Sequence, residues 1–469
     1  MKINFVNILN EFRSFTRSLS NINKPTLISF AFHFEKYDKF ISIDKLNLIS
    51  DDLFLFRTPK NQLTIVGLNS TLNLQPTDAN KFSSVSNNYN YWKNNFVNNW
   101  FKANVLTTPI ICCSAKFDPN NSSLLWNEFE ALRLYIPEFL LAFQEEKSIG
   151  YYNFIFDVDY NIDSLSDKLS IYLQNYSDYT TEESSSLNIK ATINSKPGDD
   201  DFLSWSDITL KVLTILKSDD VDKLVLSRAY CFGFNNQIKW DSLLQKLHER
   251  FPDCYLFFIK KNSSIFFGSS PEMFLKVSNN SAEVESVAGS AARGEKTESD
   301  YELEKFLKTS EKNHQEHLFV SDFITSILIK YSNNVRVIEE KQIRKLDNIQ
   351  HLITRISSEL NSNENLFELI DSLFPTPAVC GVPKEKAINL IRKIEAYDRG
   401  LYSGLVGLFD FEGNCELAVS IRSALVKDNL VTAFAGAGLV KDSNPQEEFL
   451  ETNLKLNTIL SLFTDENKS

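Results

Sequence analysis

The chain is short of several things, and each shortage excludes a class of protein. Its apolar runs are interrupted within a few residues, so none is long enough to cross a bilayer. The segment Met1 to Ser20 mixes Asn, Glu, Arg and Ser among its apolar positions, and it does not read as a secretory signal. Cysteine is sparse, 6 in 469 residues, with only Cys112 and Cys113 adjacent and no CxxC pair. That argues against a disulfide scaffold and for reduced, mostly buried thiols in a cytoplasmic protein. No stretch repeats at solenoid period. Basic charge is in deficit, 49 Lys and Arg against 61 Asp and Glu, for a formal net charge of -12. With no basic cluster carrying interleaved aromatics, neither nucleic acid nor an anionic membrane is expected as partner.

Phenylalanine, by contrast, is plentiful. The 37 of them, within a chain that is 43% hydrophobic and 23% charged, predict a soluble globular protein with an aromatic core. The polar run from Asn175 to Asp201, with its TTEESSS and KPGDDD stretches, reads as a loop or linker. Three regions follow: 1–174, the linker 175–201, and a larger part 202–469. In the first, PTLISFAFHF, DLFLFRT, QLTIVGL and PIICCSAKF are strand-like. In the last, 206–218 and 240–250 read as helices and 222–231 as a strand, with a hairpin in CYLFFIK and SIFFGSS. Strands at 273–277 and 282–288 precede one long helix over about 299–331, then strands in VRVIEE and HLITRIS. GLVGLFD, CELAVSIRSALV and LVTAFAGAG read as strands, and a last helix starts at Pro445. Hairpins outnumber βαβ units, which favours an α+β fold built on antiparallel sheets.

Four constellations could carry chemistry. Alternation in DKLVLSR puts Lys223, Val225 and Ser227 on one strand face. A lysine there either snorkels at an edge or sits in a cavity as a base. GSSPEMF makes a corner after a strand with Glu272 at its tip, which is equally an ordinary turn with a solvated Glu. Glu316 lies in one helix, and Glu448, Glu451 and Lys455 share a face of another. Carboxylates from two helices suit a hard cation such as Mg²⁺, though each helix face could simply be solvated. His314 and His317 could suggest zinc, but no further His or Cys lies nearby. Finally, the glycines of FAGAGLV, following a strand, could hold an anion on their N–H groups, with Arg422 on the preceding strand beside them. The run G-A-G-L-V-K does not complete the dinucleotide pattern GxGxxG.

The order of these blocks is more specific than any one of them. DKLVLSR, FGSSPE, SVAGSAARG, SEKNHQEH, QHL-T, FPTPAVCGVP, YDRGLYSGLVG, SIRSA and FAGAGLV-S-P-EEFLET-LK together resemble the chorismate-utilising enzymes. That family includes anthranilate synthase component I, aminodeoxychorismate synthase, salicylate synthase and isochorismate synthase. The match is strong over 206–462 and extends weakly into PIICCSAKFD and WNEFEALRLYIPEFLL. It implies two packed antiparallel sheets flanked by helices. Lys223 stands where the amine-adding anthranilate synthases typically carry glutamine, Ala288 where aminodeoxychorismate synthases typically carry lysine, and Ala378 where both types typically carry threonine. All three imply water as nucleophile, and resemblance is nearest to isochorismate synthases of the menaquinone type. Val379, Cys380 and Phe374 depart from the residues usual in the family.

The resemblance implies roles as well. Lys223 would be the base that activates water and Glu272 the acid that protonates the leaving hydroxyl. Glu316 and Glu451 would hold Mg²⁺, with Asn313 and Glu448 holding the metal's waters. Arg422, Lys455, Tyr402 and the N–H groups around Gly436 would bind the enolpyruvyl carboxylate of chorismate. Gly289 and Ser290 would line the ring-carboxylate side, with His351 and Ala378 also at the substrate. No glutaminase subunit is expected. A salicylate synthase is the nearest alternative and a silent chorismate-binding subunit another; the product could feed menaquinone or a siderophore. A nucleotide-dependent oxidoreductase is disfavoured by the missing glycine.

Overall fold

The structure is a computed structural model that describes residues 5–19, 22–33, 42–78, 80–100, 106, 108–121, 123–145, 147–157, 161–179, 199–218, 220–234, 237–362 and 365–463. Its first strands are β1 (Thr26–His33), β2 (Asp52–Arg57), β3 (Thr64–Asn73), β4 (Phe96–Asn98), β5 (Ile111–Ala115), β6 (Leu132–Gln144) and β7 (Lys147–Phe156). The middle strands are β8 (Lys223–Gly233), β9 (Tyr255–Lys261), β10 (Ser264–Ser270), β11 (Met273–Ser278), β12 (Ser281–Ala292), β13 (Ser332–Lys345) and β14 (Ile349–Leu360). The last are β15 (Gly381–Val382), β16 (Leu405–Phe409), β17 (Cys415–Val419), β18 (Ser423–Lys427) and β19 (Leu430–Leu439). Helices are α1 (Phe5–Arg17), α2 (Ile43–Ile49), α3 (Ser86–Lys93), α4 (Ile162–Tyr179), α5 (Asp199–Leu216) and α6 (Trp240–Arg250). They continue with α7 (Thr297–Thr309), α8 (Glu311–Tyr331), α9 (Leu366–Leu373), α10 (Lys384–Ile394) and α11 (Pro445–Leu460).

Among the described residues the strands form two antiparallel wings, with one parallel pair, β1 with β4. One wing runs β4–β1–β7–β6–β3–β2–β9–β10–β18–β19–β8–β15. The other runs β6–β5–β16–β17–β11–β12–β14–β13. Strand β6 serves both: its first residues pair with β5 and the rest with β3 and β7. The wings bury a common aromatic core in which Phe54, Phe257, Phe266 and Phe434 of one meet Val406, Leu408 and Ala418 of the other. Helices cover the outer faces, α1, α4 and α6 on the first wing and α8 and α9 on the second. This is the α+β arrangement of packed antiparallel sheets that the motifs imply. The halves are not separate in the ladder, since β2 pairs with β9 and β5 with β16.

Three local expectations are corrected. The helix expected over 299–331 is two, because Ser310 takes extended backbone (φ -69, ψ 119) and its hydroxyl accepts from Asn313 N as the cap of α8. CELAVSIRSALV is two strands, broken at Ser420–Arg422, where Arg422 adopts a left-handed φ of 53°. Arg422 therefore sits in a turn and not on a strand. The supposed linker is trimmed at both ends, α4 reaching Tyr179 and α5 starting at Asp199; the segment 180–198 lies outside the described residues.

Candidate active site

The ends of β8, β12, β14 and β19, the β10–β11 corner and helices α8 and α11 converge on one cleft. The space between its lining atoms is about 670 Å³, part of it open to solvent. Glu272, Gly289, Ser290, Glu316, His351, Ala378, Tyr402, Arg422, Gly436, Glu451 and Lys455 all line it. Asn313 and Glu448 line an adjoining recess that shares Ser290, Glu316 and Glu451 with the cleft. Lys223 is the exception. It is wholly buried and lies behind the cleft wall, its Nζ 3.1 Å from Glu316 Oε1. The contact is electrostatic without good alignment, since Nζ has no hydrogen-bond partner.

Glu272 is 4% exposed, and burial, reinforced by the nearby Glu285 charge, pushes its carboxyl up to about 8. At neutral pH it therefore holds a proton it can donate. Arg422 is also buried, and among the described residues no carboxylate pairs with it; its Nη2 donates to His351 Nε2 at 3.0 Å. Burial holds His351 well below the ordinary imidazole value, with the Arg422 charge adding to it, so the ring is neutral. Its Nδ1–H then donates to Ser290 Oγ, 3.0 Å away, and Ser290 bonds Glu451. A buried guanidinium with no carboxylate bonded to it is costly, so the cleft suits an anion. Tyr402 stacks on Phe434 with ring centroids 5.1 Å apart and forms an adjacent wall.

The glycines of FAGAGLV act differently from the expectation. Gly436 and Gly438 lie inside β19, paired with β8, rather than after a strand. The Gly436 carbonyl accepts from Lys455 Nζ at 2.8 Å. A Cβ on Gly438 would stand 2.2 Å from Glu316 Oε1 and 3.0 Å from Lys223 Cε, so this glycine makes room for their pair.

Three acidic side chains of the recess each have a lysine. Glu316 faces Lys223, Glu448 takes Lys312 at 2.7 Å, and Glu451 takes Lys455 at 2.5 Å. Burial would raise Glu451, but Lys455 and Lys312 hold it below the usual carboxylate range. Glu448 is raised by burial and by Glu451. As the side chains stand, no set of three or more His, Cys, Asp or Glu among the described residues is arranged around a metal position. The donor chemistry nevertheless fits a hard divalent cation: Glu316, Glu448 and Glu451, three of the recess's four carboxylates, stand with the Asn313 amide, and a cation would relieve their mutual repulsion. His317 is not available as a ligand, being buried with Nε2 2.7 Å from Thr354 Oγ1 and Nδ1 3.3 Å from Ala288 O.

The sequence reading missed Lys312, the clearance role of Gly438, and the Glu285–Arg344 pair beneath Glu272. Lys312 could have been found, since it stands one turn before Glu316 on the same helix. No helix among the described residues is long and apolar enough to cross a membrane.

Isochorismate synthase MenF of Bacillus subtilis is 27% identical over 456 residues, 95% of each chain. Isochorismate synthase EntC of Escherichia coli strain K12 is 34% identical over 261 residues, 55% of this chain and 67% of that one. The solved structure of MenF, the menaquinone-specific isochorismate synthase from Escherichia coli, superposes with a TM-score of 0.77 at 20% identity, covering 97% of this chain and all of that one. The family model described as chorismate binding enzyme matches residues 13–464, and the chain belongs to that family.

Proposed function

We propose that this protein is an isochorismate synthase, an isomerase that converts chorismate to isochorismate with water as nucleophile. The observation that carries the reading is Glu272, a carboxyl kept protonated near neutral pH in a cleft that also presents the uncompensated Arg422. A dicarboxylate substrate supplies the missing anion. Arg422 and Lys455 take the enolpyruvyl carboxylate, with Tyr402 and Gly436 beside it, and Gly289, Ser290, His351 and Ala378 shape the ring side.

In the reaction, water adds at ring carbon 2, the double bond shifts, and the hydroxyl on carbon 4 leaves. Glu272 gives that hydroxyl its proton, so it departs as water. Lys223, in its neutral form, takes a proton from the attacking water. In the structure its Nζ faces Glu316 Oε1 at 3.1 Å. Glu316 and Glu451 would hold Mg²⁺, with Asn313 and Glu448 bonding its waters. Bound there, the ion supplies positive charge for the ring carboxylate as charge builds during displacement. Ala288 and Ala378 leave no lysine to attack the ring and no hydroxyl of the amination type, and no glutaminase partner is invoked. The menaquinone branch is favoured because the Bacillus subtilis relative, matched over 95% of this chain, is named MenF, the name carried by the menaquinone-specific enzyme of Escherichia coli. The cysteines, all free, suit a reducing cytoplasm.

The test is incubation with chorismate and Mg²⁺ in ¹⁸O water, with the products resolved by chromatography and mass spectrometry. Isochorismate labelled at carbon 2 is expected, unchanged by ammonium salts. Salicylate with pyruvate would assign the salicylate synthase activity instead, and an aminated ring would overturn the choice of nucleophile. Lys223→Ala and Glu272→Gln should each lower kcat by about two to four orders of magnitude.

A further inference from the structure

Glu272 sits at a corner between two strands, where a side chain would ordinarily be poorly fixed. Here the corner is tied down from behind. Glu285, on β12, accepts from the Met273 N–H at 3.3 Å through Oε2. Arg344, on β13, donates to the Pro271 carbonyl and makes a two-pronged bond to Glu285, 2.8 Å to Oε2 and 2.7 Å to Oε1. Arg355, directly opposite Glu285 on β14, adds a bond of 3.1 Å to Oε1. The backbone of Glu272 itself is held by Ser270 Oγ at its N–H and by Val419 N–H at its carbonyl. Glu285 is 4% exposed, and a buried carboxylate between two guanidiniums is a costly arrangement for a fold that needed only a turn.

We propose that Glu285 and Arg344 are the positioning pair of the general acid, clamping the peptide units on both sides of Glu272 and fixing the charge behind it. The inference rests on the assignment of Glu272 as the acid in chorismate conversion. Two groups of opposite sign thus stand behind one carboxyl. From its other sides Glu272 faces Lys223 of β8, Lys455 of α11 and Arg422 of the β17–β18 turn. Glu316, His351, Tyr402 and Glu451 complete the ionisable lining of the cleft. The Glu285 charge raises the Glu272 carboxyl and the Arg344 charge lowers it, so their removal should act in opposite directions.

The experiment compares wild type, Glu285→Gln and Arg344→Gln by the pH dependence of kcat and by difference infrared titration of the Glu272 carboxyl, each against its Glu272→Gln counterpart. Glu272 works protonated, so its ionisation sets the alkaline limb. In Glu285→Gln that limb and the infrared midpoint should fall by about one unit, and in Arg344→Gln rise by a similar amount. In both, kcat at the optimum should drop about tenfold with KM little changed, because the acid is less well held. Limbs and midpoints that stay at the wild-type position, or that move the same way in both variants, would overturn the proposal. If Glu285→Gln does not fold, the upward shift in Arg344→Gln decides alone. The infrared titration needs no turnover. Opposed midpoint shifts in a protein that makes no isochorismate would therefore refute the assigned reaction and leave the clamp standing.

Discussion

At the scale of single residues, the site is a set of charges placed where folding would rather not have them. Glu272 shows the cost. Its carboxyl is raised from 4.5 to about 8, so the fold favours the neutral form. Below about pH 4.5 folded and unfolded chains both carry the proton and there is no penalty. As pH rises towards 8 the unfolded chain ionises and the folded one resists, so stability is progressively lost. Glu272→Gln should therefore raise Tm relative to wild type, with a gain that is absent near pH 4, grows through neutrality and is complete above about pH 8. Thermal melts across that range check it; a constant gain at every pH would contradict the raised carboxyl. Much of this residue set was legible, because Lys223, Glu272, Glu316 and Arg422 stand in motifs whose order is itself informative. Glu285 and Arg344 were not. Both sit among charged neighbours, in SAEVES and EEKQIRK, where either reads as a solvated strand face. They meet only because β12 and β13 flank β14, a long-range pairing that no local pattern encodes.

At the scale of elements, hydrophobic periodicity located most strands and the longer helices after residue 199, since alternation and the 3.6-residue repeat are properties of each segment alone. It left α1 to α4, β6 and β7 unassigned, and it missed interruptions. Ser310 divides one helical pattern into α7 and α8, and the turn at Ser420–Arg422 divides one strand pattern into β17 and β18. Both breaks place site residues. The first starts the helix that carries Asn313 and Glu316, and the second aims Arg422 into the cleft. Strand β19 shows the opposite case, a regular element whose missing side chain matters. Gly438→Ala would drive a methyl group into Glu316 and the Lys223 stem. We expect kcat to fall at least about tenfold while far-ultraviolet circular dichroism stays unchanged, because a misplacement of about 1 Å at reacting groups is that costly. Wild-type turnover in Gly438→Ala would show that the Lys223–Glu316 contact is dispensable.

At the scale of the whole molecule, the two halves of the chain share one ladder. Asp52 of β2 is held by Arg133 of β6 and, at 3.0 Å, by Lys261 of β9, so an ion triad spans them. The residues of the cleft come from 225 to 455, yet the strands that support them are flanked by β2 and β5. Calorimetry should accordingly record one cooperative unfolding transition, with calorimetric and van't Hoff enthalpies in agreement. Two resolved transitions would show that the halves are thermodynamically separate.

The lysines opposite Glu316, Glu448 and Glu451 bear on how the protein lives without its ion. An acidic recess left bare would repel itself and loosen α8 from α11; here each carboxylate already has an ammonium to lean on. Chelation with EDTA should therefore abolish turnover while moving Tm by no more than a degree or two, unlike domains that depend on a metal to fold. A large fall in Tm would show that the lysines do not suffice. Lost turnover and a kept Tm together would make the resting protein a durable store of latent activity, switched on by the supply of a divalent cation and still folded when that supply fails.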